Sequence, residues 1–285
     1  MASVRITEFT DPGCPWGWSA EPARRRLAWL YGESLQWELR MVGLSAAPEE
    51  NAAKGLTPDV IARAFATIAR EHGMPIDARE RARTAATLPA CRAVVAARVH
   101  APGRERPLLR RLRVRGFSGD QLDDPRTIAG AAREAGLDPD ALAAWTEGAD
   151  VARALDEDLA AARSPSPAAL ALDHKLAPWD GGRRYTCPSY ELEALEGPAA
   201  GMRLSVPGFQ PVAAYEAAVA NLAPAAGRRE DPRGVEEVLA WAGEPLATRE
   251  VAVVCGIEHR EARERLGHVA DEDHVGADGF WSLAD

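Results

Sequence analysis

VRITEF (4–9) sets Val4, Ile6 and Glu8 against Arg5, Thr7 and Phe9 in an alternation imperfect in the way of a buried strand, and it predicts a first β-strand. A helix follows. Its apolar positions Trp18, Leu27, Leu30 and Tyr31 fall along one stripe, Cys14 takes the N-cap region, Pro15 suits the first turn and Gly32 ends it. LQWELRMVGL (35–44) alternates as a second strand. Residues 57–163 then change character to Ala- and Arg-rich segments of 3.6 periodicity, VIARAFATIARE, ACRAVVAARV, TIAGAAREAG and VARALDEDLAAA, which predict a helical domain. SPSPAAL (164–170) opens one more helix, and RRYTCPSYELE (183–193) and GMRLSVPG (201–208) read as a strand pair turned by GPAAG. PVAAYEAAVANL (211–222) is a helix with Pro at its first position, and APAAGRREDPRG (223–234) is a linker by its Pro, Gly and charge content. The tail, VEEVLAWAG, PLATREVAVVCG, EHREARERLGHV and ADGFWSL, reads helix, helix, a turn at Gly256, helix, strand.

That order predicts an α/β chain: a thioredoxin-like fold (1–56 and 164–225) carrying an inserted all-α domain (57–163), plus a small C-terminal winged-helix-like domain (232–285). Composition agrees, since 285 residues with 46% hydrophobic and 27% charged content bury a substantial core in two or three domains. The N-terminus shows neither a basic leader nor an apolar h-region, and no apolar run nears the roughly 20 residues of a membrane span. A cytoplasmic protein without membrane partners is the expectation. Four widely spaced cysteines, Cys14, Cys91, Cys187 and Cys255, argue against a disulfide framework and for reactive or merely buried thiols.

DPGCPWGWSAEP (11–22) places Cys14 where a Cys-X-X-Cys motif begins, but Gly17 stands in the fourth position. With the helical insertion, the TCPSYEL segment (186–192) and GFQPVAAYEAAV (208–219), it makes residues 3–222 resemble the DsbA-like thiol–disulfide oxidoreductases. These include a bacterial cytoplasmic branch associated with polyketide biosynthesis and the related 2-hydroxychromene-2-carboxylate isomerases. The resemblance implies a cis-proline at Pro188, a last-helix loop at 208–211, and a position for Cys187 beside Cys14. It also implies substrate contacts at Pro15, Trp16, Gly17, Thr186 and Pro188, with a small-molecule thiol or a protein disulfide as partner. Gly17 departs from the family's dithiol pattern.

A thiol at a helix N-terminus faces free N–H groups and the positive end of the helix dipole, which favour the thiolate over the free-thiol pKa of about 8.5. Without a cysteine at position 17, a mixed disulfide on Cys14 has no neighbour in its own turn to resolve it. Three alternatives stand open: Cys187 resolves it; a small thiol such as mycothiol or glutathione resolves it as co-substrate; or the site has lost redox chemistry and binds a ligand or regulates. A thiol-dependent isomerase is a weaker fourth. Cys187 also reads as a small buried hydrophobe, and Trp18, beside Trp16, as core. No other cofactor is expected.

The remaining candidates are modest. Asp11 is placed for proton transfer, though a turn or cap is the commoner use. Cys91 and Cys255 read as buried structural thiols. RERPLLRRLRVRG (104–116) reads as a solvated basic face with Leu108, Leu109 and Leu112 turned inward, or as a receiver of anions. Six histidines show no ligand spacing; His268 and His274 with Asp271 and Asp273 read as a polar turn rather than a metal site, and no metal is expected. From Arg228 onward seven arginines face fourteen carboxylates, a net of −7 within a chain of −9. That charge disfavours nucleic acid for a helix at 258–268 and favours a packing, dimerisation or protein-interaction wing, so a homo-oligomer is open.

Overall fold

The structure is a computed structural model that describes residues 2–284. Along the chain run β1 (Val4–Thr10), α1 (Pro15–Ser19), α2 (Glu21–Tyr31), β2 (Leu35–Met41), α3 (Pro48–Ala53) and α4 (Pro58–His72). Next come α5 (Leu88–His100), α6 (Glu105–Ser118), α7 (Pro125–Glu134), α8 (Pro139–Thr146), α9 (Ala149–Ala162) and α10 (Pro167–Leu170). The chain then returns to sheet with β3 (Ala177–Trp179), β4 (Gly182–Arg184), β5 (Ser189–Ala194) and β6 (Arg203–Pro207), followed by α11 (Val212–Leu222). It closes with α12 (Val235–Ala242), β7 (Leu246–Ala247), α13 (Thr248–Cys255), α14 (His259–Leu266), β8 (Ala270–Val275) and β9 (Asp278–Leu283).

The central sheet has the order β2-β1-β5-β6, with β1 parallel to β2 and antiparallel to β5, and β5 antiparallel to β6. Val4, Ile6 and Glu8 are all buried and share one face of β1, as the period of two requires. Val4 and Ile6 pack with Leu27 and Leu30 of α2 and Val219 and Leu222 of α11. Glu8 sits at the end of that stripe, where apolar packing gives way to arginines of α6: Arg106 at 3.0 Å and Arg113 at 3.7 Å. Helices α5 to α9 build a second core around Val94, Val95, Leu108, Leu112 and Leu155, which reaches β2 through Leu39 and Met41.

Four sequence expectations change. The helix read from Trp18 to Tyr31 is two helices joined at Ala20, and Pro22 suits a fresh first turn because its missing N–H would be unpaired there. The strand read over 183–193 is broken: β4 pairs with β3 as a separate ribbon, and residues 185–188 leave the ladder before β5 starts. In the basic run, Leu108, Leu109 and Leu112 do turn inward, but Arg110 and Arg113 are buried as well, because carboxylates from other elements wait for them. The segment around His274 is strand β8 paired to β9 rather than a turn, and among the described residues no group of three His, Cys, Asp or Glu side chains is placed to hold a metal.

The acidity of the tail finds its counterpart in this burial. Arg24, Arg25 and Arg26 run consecutively on α2 and are all at most 8% exposed. Arg25 pairs with Glu244 and Glu250, Arg26 with Glu216 and Asp231, and Arg110 with Glu250 at 2.7 Å. Glu250 also accepts the Ala247 N–H at 2.8 Å, so one carboxylate caps α13 and ties it to α2 and α6. On α14 the exposed charges neutralise one another, Arg260 with Glu264 and Arg265 with Glu261. Among the described residues no helix is long and apolar enough to cross a membrane.

Removing one member of a buried ion pair leaves its partner charged and unpaired, at a cost of about 3–5 kcal/mol. Glu250→Gln is therefore expected to lower the free energy of unfolding by that order, seen as a lower urea midpoint at an unchanged m-value, whereas Glu264→Gln, on the exposed face of α14, is expected to leave the midpoint within experimental scatter.

Candidate functional site

The site grows out of the short loop between β1 and α1. Asp11 starts it: its Oδ1 accepts the Gly13 N–H at 2.8 Å, and its Oδ2 accepts from the Leu44 N–H (2.9 Å), the Thr87 hydroxyl (2.9 Å) and the Cys91 thiol (3.3 Å). With both oxygens accepting and no solvent exposure, Asp11 is a clamp joining the loop, the segment after β2 and the start of α5, which is the turn and cap use of an aspartate. Cys91 is inert for the same reason: burial pushes its thiol well up, and the Asp11 charge and hydrogen bond add to the effect. Burial also pushes the Cys255 thiol up, to about 11.

Cys14 is the N-cap of α1. Its Sγ accepts the Gly17 N–H at 3.5 Å, and as a neutral thiol it donates to the Cys187 carbonyl at 3.4 Å. Cys187 lies on the bend before β5, joined to Pro188 by a cis peptide, so residues 173 positions apart in sequence form one buried pair. The two thiols diverge. Cys14 is lowered, first by a hydrogen bond from the Cys187 side chain and then by the Gly17 and Trp16 amides, which together outweigh burial and the Asp11 charge. Cys187 is pushed well up, first by burial and then by its bond to Cys14. Of the two sulfurs, Cys14 is therefore the one that ionises first.

Gly17 is closed in. A Cβ placed there would lie 3.0 Å from the Thr10 hydroxyl and 3.1 Å from a guanidinium nitrogen of Arg113. Arg113, wholly buried, donates to Thr10 and to Glu21, so the space next to Cys14 holds a cation where a second cysteine would project. Burial alone would raise Glu21, but Arg24 and Arg113, with Arg110 and Arg25 behind them, hold it well below the usual carboxylate range. Burial alone would lower Arg113, but Glu21 and then Glu8 raise it.

Of the two tryptophans, Trp18 is core: it is fully buried, stacks on Phe117 at 5.7 Å and donates to the Pro75 carbonyl at 2.9 Å. Trp16 is 39% exposed and makes edge contacts with His72 (5.0 Å) and Phe209 (5.7 Å). Pro15 and Trp16 line a cavity of about 580 Å³ that reaches α4 and the segment before α5. Thr186 turns its hydroxyl away, donating to the Lys175 carbonyl at 2.8 Å, and Pro188 is buried. Arg113, His72 and Phe209 were missed as neighbours of the site. The spacing of Arg110 and Arg113 beside Leu109 and Leu112 carried a signal for the first, since it sets both arginines next to the inward stripe.

The sequence model of the DSBA-like thioredoxin domain matches residues 5–166, from β1 through the helical insertion. The chain belongs to the DSBA-like thioredoxin family. No curated protein sequence matches it. Among solved structures it is similar to a Nitrosomonas europaea protein named for protein disulfide isomerase, with 16% identity, a TM-score of 0.54, and coverage of 78% of this chain and 96% of that one. It is similarly close to a Streptomyces coelicolor protein named as a DsbA oxidoreductase, with 17% identity, a TM-score of 0.54, and coverage of 80% and 93%. At these identities the likeness is one of fold. The DSBA-like match includes the Cys14 loop and ends before Cys187 and Pro188.

Two outcomes follow. The iodoacetamide rate at Cys14 is expected to rise with pH at a midpoint below that of a free thiol, because the lowered group ionises earlier, and Cys187→Ala is expected to move that midpoint up. Gly17→Cys, which writes Cys-X-X-Cys into the sequence, is expected to lower stability by about 1–3 kcal/mol in thermal unfolding, since the new side chain crowds Thr10 and Arg113.

Proposed function

We propose that the protein is a thiol–disulfide oxidoreductase in which Cys14 is the attacking thiolate and Cys187 the second sulfur. The observation that carries the reading is the single buried pair with oppositely displaced thiols. The Cys14 thiolate attacks one sulfur of a disulfide RSSR′, forming a Cys14–SR bond and expelling R′S⁻, which takes a proton from solvent. Cys187 then loses its proton to the departing RS⁻ and bonds to Cys14, so that the substrate has gained two electrons and the protein dithiol has lost them. Two equivalents of a small thiol, of the mycothiol or glutathione class, return the pair to the dithiol and leave as their own disulfide.

The N-cap position supports the first step, because α1 presents its free N–H groups to the sulfur that carries the charge. Gly17 favours a second reading, a site that keeps the thioredoxin cleft for a ligand and performs no exchange. We read residues 235–283 as a winged-helix-like packing wing, a reading supported by the arginines of α2 and α6 that its carboxylates neutralise.

Mild oxidation followed by peptide mass mapping separates the readings. Exchange chemistry predicts one bond, between Cys14 and Cys187, formed in the unmodified protein and absent from Cys14→Ser and Cys187→Ser. An ordinary Cys14 ionisation with no such bond would leave the ligand-binding reading in its place.

A further inference from the structure

The cavity beside Cys14 has a lopsided lining. Gly13 and Pro15, on either side of the cysteine, form part of its wall, and Trp16, Leu56, Ile61 and Phe65 supply apolar surface. The charged residues along it are Lys54, Arg79, Arg81, Arg83 and Arg184, and no carboxylate is among them. Three of these cations are answered from behind the wall. Arg79 pairs with Asp77 at 2.6 Å, Arg83 with Asp123 at 2.7 Å, and Lys54 donates to the Leu44 carbonyl at 2.8 Å with Glu50 at 3.9 Å.

Arg81 and Arg184 are different. Arg81 lies over the Phe65 ring at 5.6 Å and gives its guanidinium only to the carbonyls of Gly116 (2.6 Å) and Asp120 (3.4 Å). Burial pushes Arg81 down despite Asp77 and Asp120 at longer range. Arg184 donates to the Tyr185 carbonyl at 2.9 Å and lies close enough to Cys187 for its charge to act on that thiol. Among the described residues neither has a carboxylate within ion-pair distance. Gln121, also on the wall, has a buried side-chain oxygen with no hydrogen-bond partner, while its amide nitrogen donates to the Arg83 carbonyl at 3.2 Å. Two half-desolvated guanidiniums over an apolar floor are an incomplete arrangement, and an anion in the cavity would complete it. The volume, about 580 Å³, is in the usual range of roughly 300–1,000 Å³ for small-molecule sites.

We propose that this cavity binds a small amphipathic carboxylate, an apolar ring or chain on the Phe65–Ile61 floor with its anionic group on Arg81 or Arg184, and that the disulfide substrate of Cys14 carries such a group. The clause about the substrate rests on the exchange reading; the binding site does not. The ligand class is distinct from a folded protein partner, because Cys14 is 5% exposed and its approach runs along an indented wall rather than an open face.

The test uses Cys14→Ser protein, so that no exchange intervenes, titrated calorimetrically with naphthalene-2-carboxylate and with the neutral naphthalene-2-carboxamide. The carboxylate is expected to bind at least about tenfold tighter, in keeping with a hydrogen-bonded charge, and Arg81→Met and Arg184→Met, each checked for unchanged thermal unfolding, are expected to shrink that preference. Equal affinities, absence of binding by both probes, or a preference that neither variant moves would overturn the proposal. Arg184→Met sits on the half-buried β4 ribbon and keeps the test available if Arg81→Met fails to fold. The reaction of unmodified protein with the neutral disulfide 4,4′-dithiodipyridine in excess of that of Cys14→Ser reports exchange separately, since Cys255 also reacts with it: carboxylate binding without that excess removes the oxidoreductase reading alone, and the excess without carboxylate preference removes the ligand class alone.

Discussion

One buried guanidinium organises this molecule. Arg113 reaches from the helical insertion into the thioredoxin core, where it meets Thr10 at the end of β1, Glu21 at the start of α2 and, at 3.7 Å, Glu8 on β1. A charge in that position is tolerable only when it is paired and hydrogen-bonded, and the planar fork of an arginine serves two partners on β1 and one on α2 through its terminal nitrogens. Because α6 is anchored there, its neighbour Arg110 arrives at Glu250, and the C-terminal helices are drawn onto α2. The buried charges run from Glu8 on β1 to Glu250 on α13.

The same guanidinium explains why the active loop is sparse. The ground beside Cys14 is taken, and the sulfur-bearing residue that meets it is Cys187, at the bend that carries Pro188. A partner from another element is held at a distance set by the whole sheet rather than by one helical turn. Burial pushes the Cys187 thiol up, while the hydrogen bond from Cys187 and the amides of α1 bring Cys14 down, so environment alone sets the two sulfurs apart.

Much of the architecture was legible from pattern alone. The alternation of Val4 and Ile6, the stripe of Leu27 and Leu30, and the 3.6 periodicity of the insertion each report which face meets apolar neighbours, and that is a local property. What escaped was charge burial. Arg25 and Arg26 on α2 and Arg110 on α6 carry no local sign of burial, since nothing nearby reveals that carboxylates more than 100 residues away will cover them. The site divides in the same way. Cys14 announces itself by its place before Pro15, whereas the meeting of Cys14 with Cys187 was available only through the family resemblance, and Arg81 and Arg184 are recognisable beside the cavity only once their neighbours are known.

The hairpin between β8 and β9 turns at Gly276, in the left-handed region at φ +66°, and its backbone lies so near the Ile76 carbonyl that any side chain there would collide with it. Residues 74–77 lead directly into the stretch that carries Arg79, Arg81 and Arg83 along the cavity. A side chain at position 276 would therefore have to push aside the segment that leads into the cavity wall, so a turn far later in sequence constrains the backbone on the approach to Arg79.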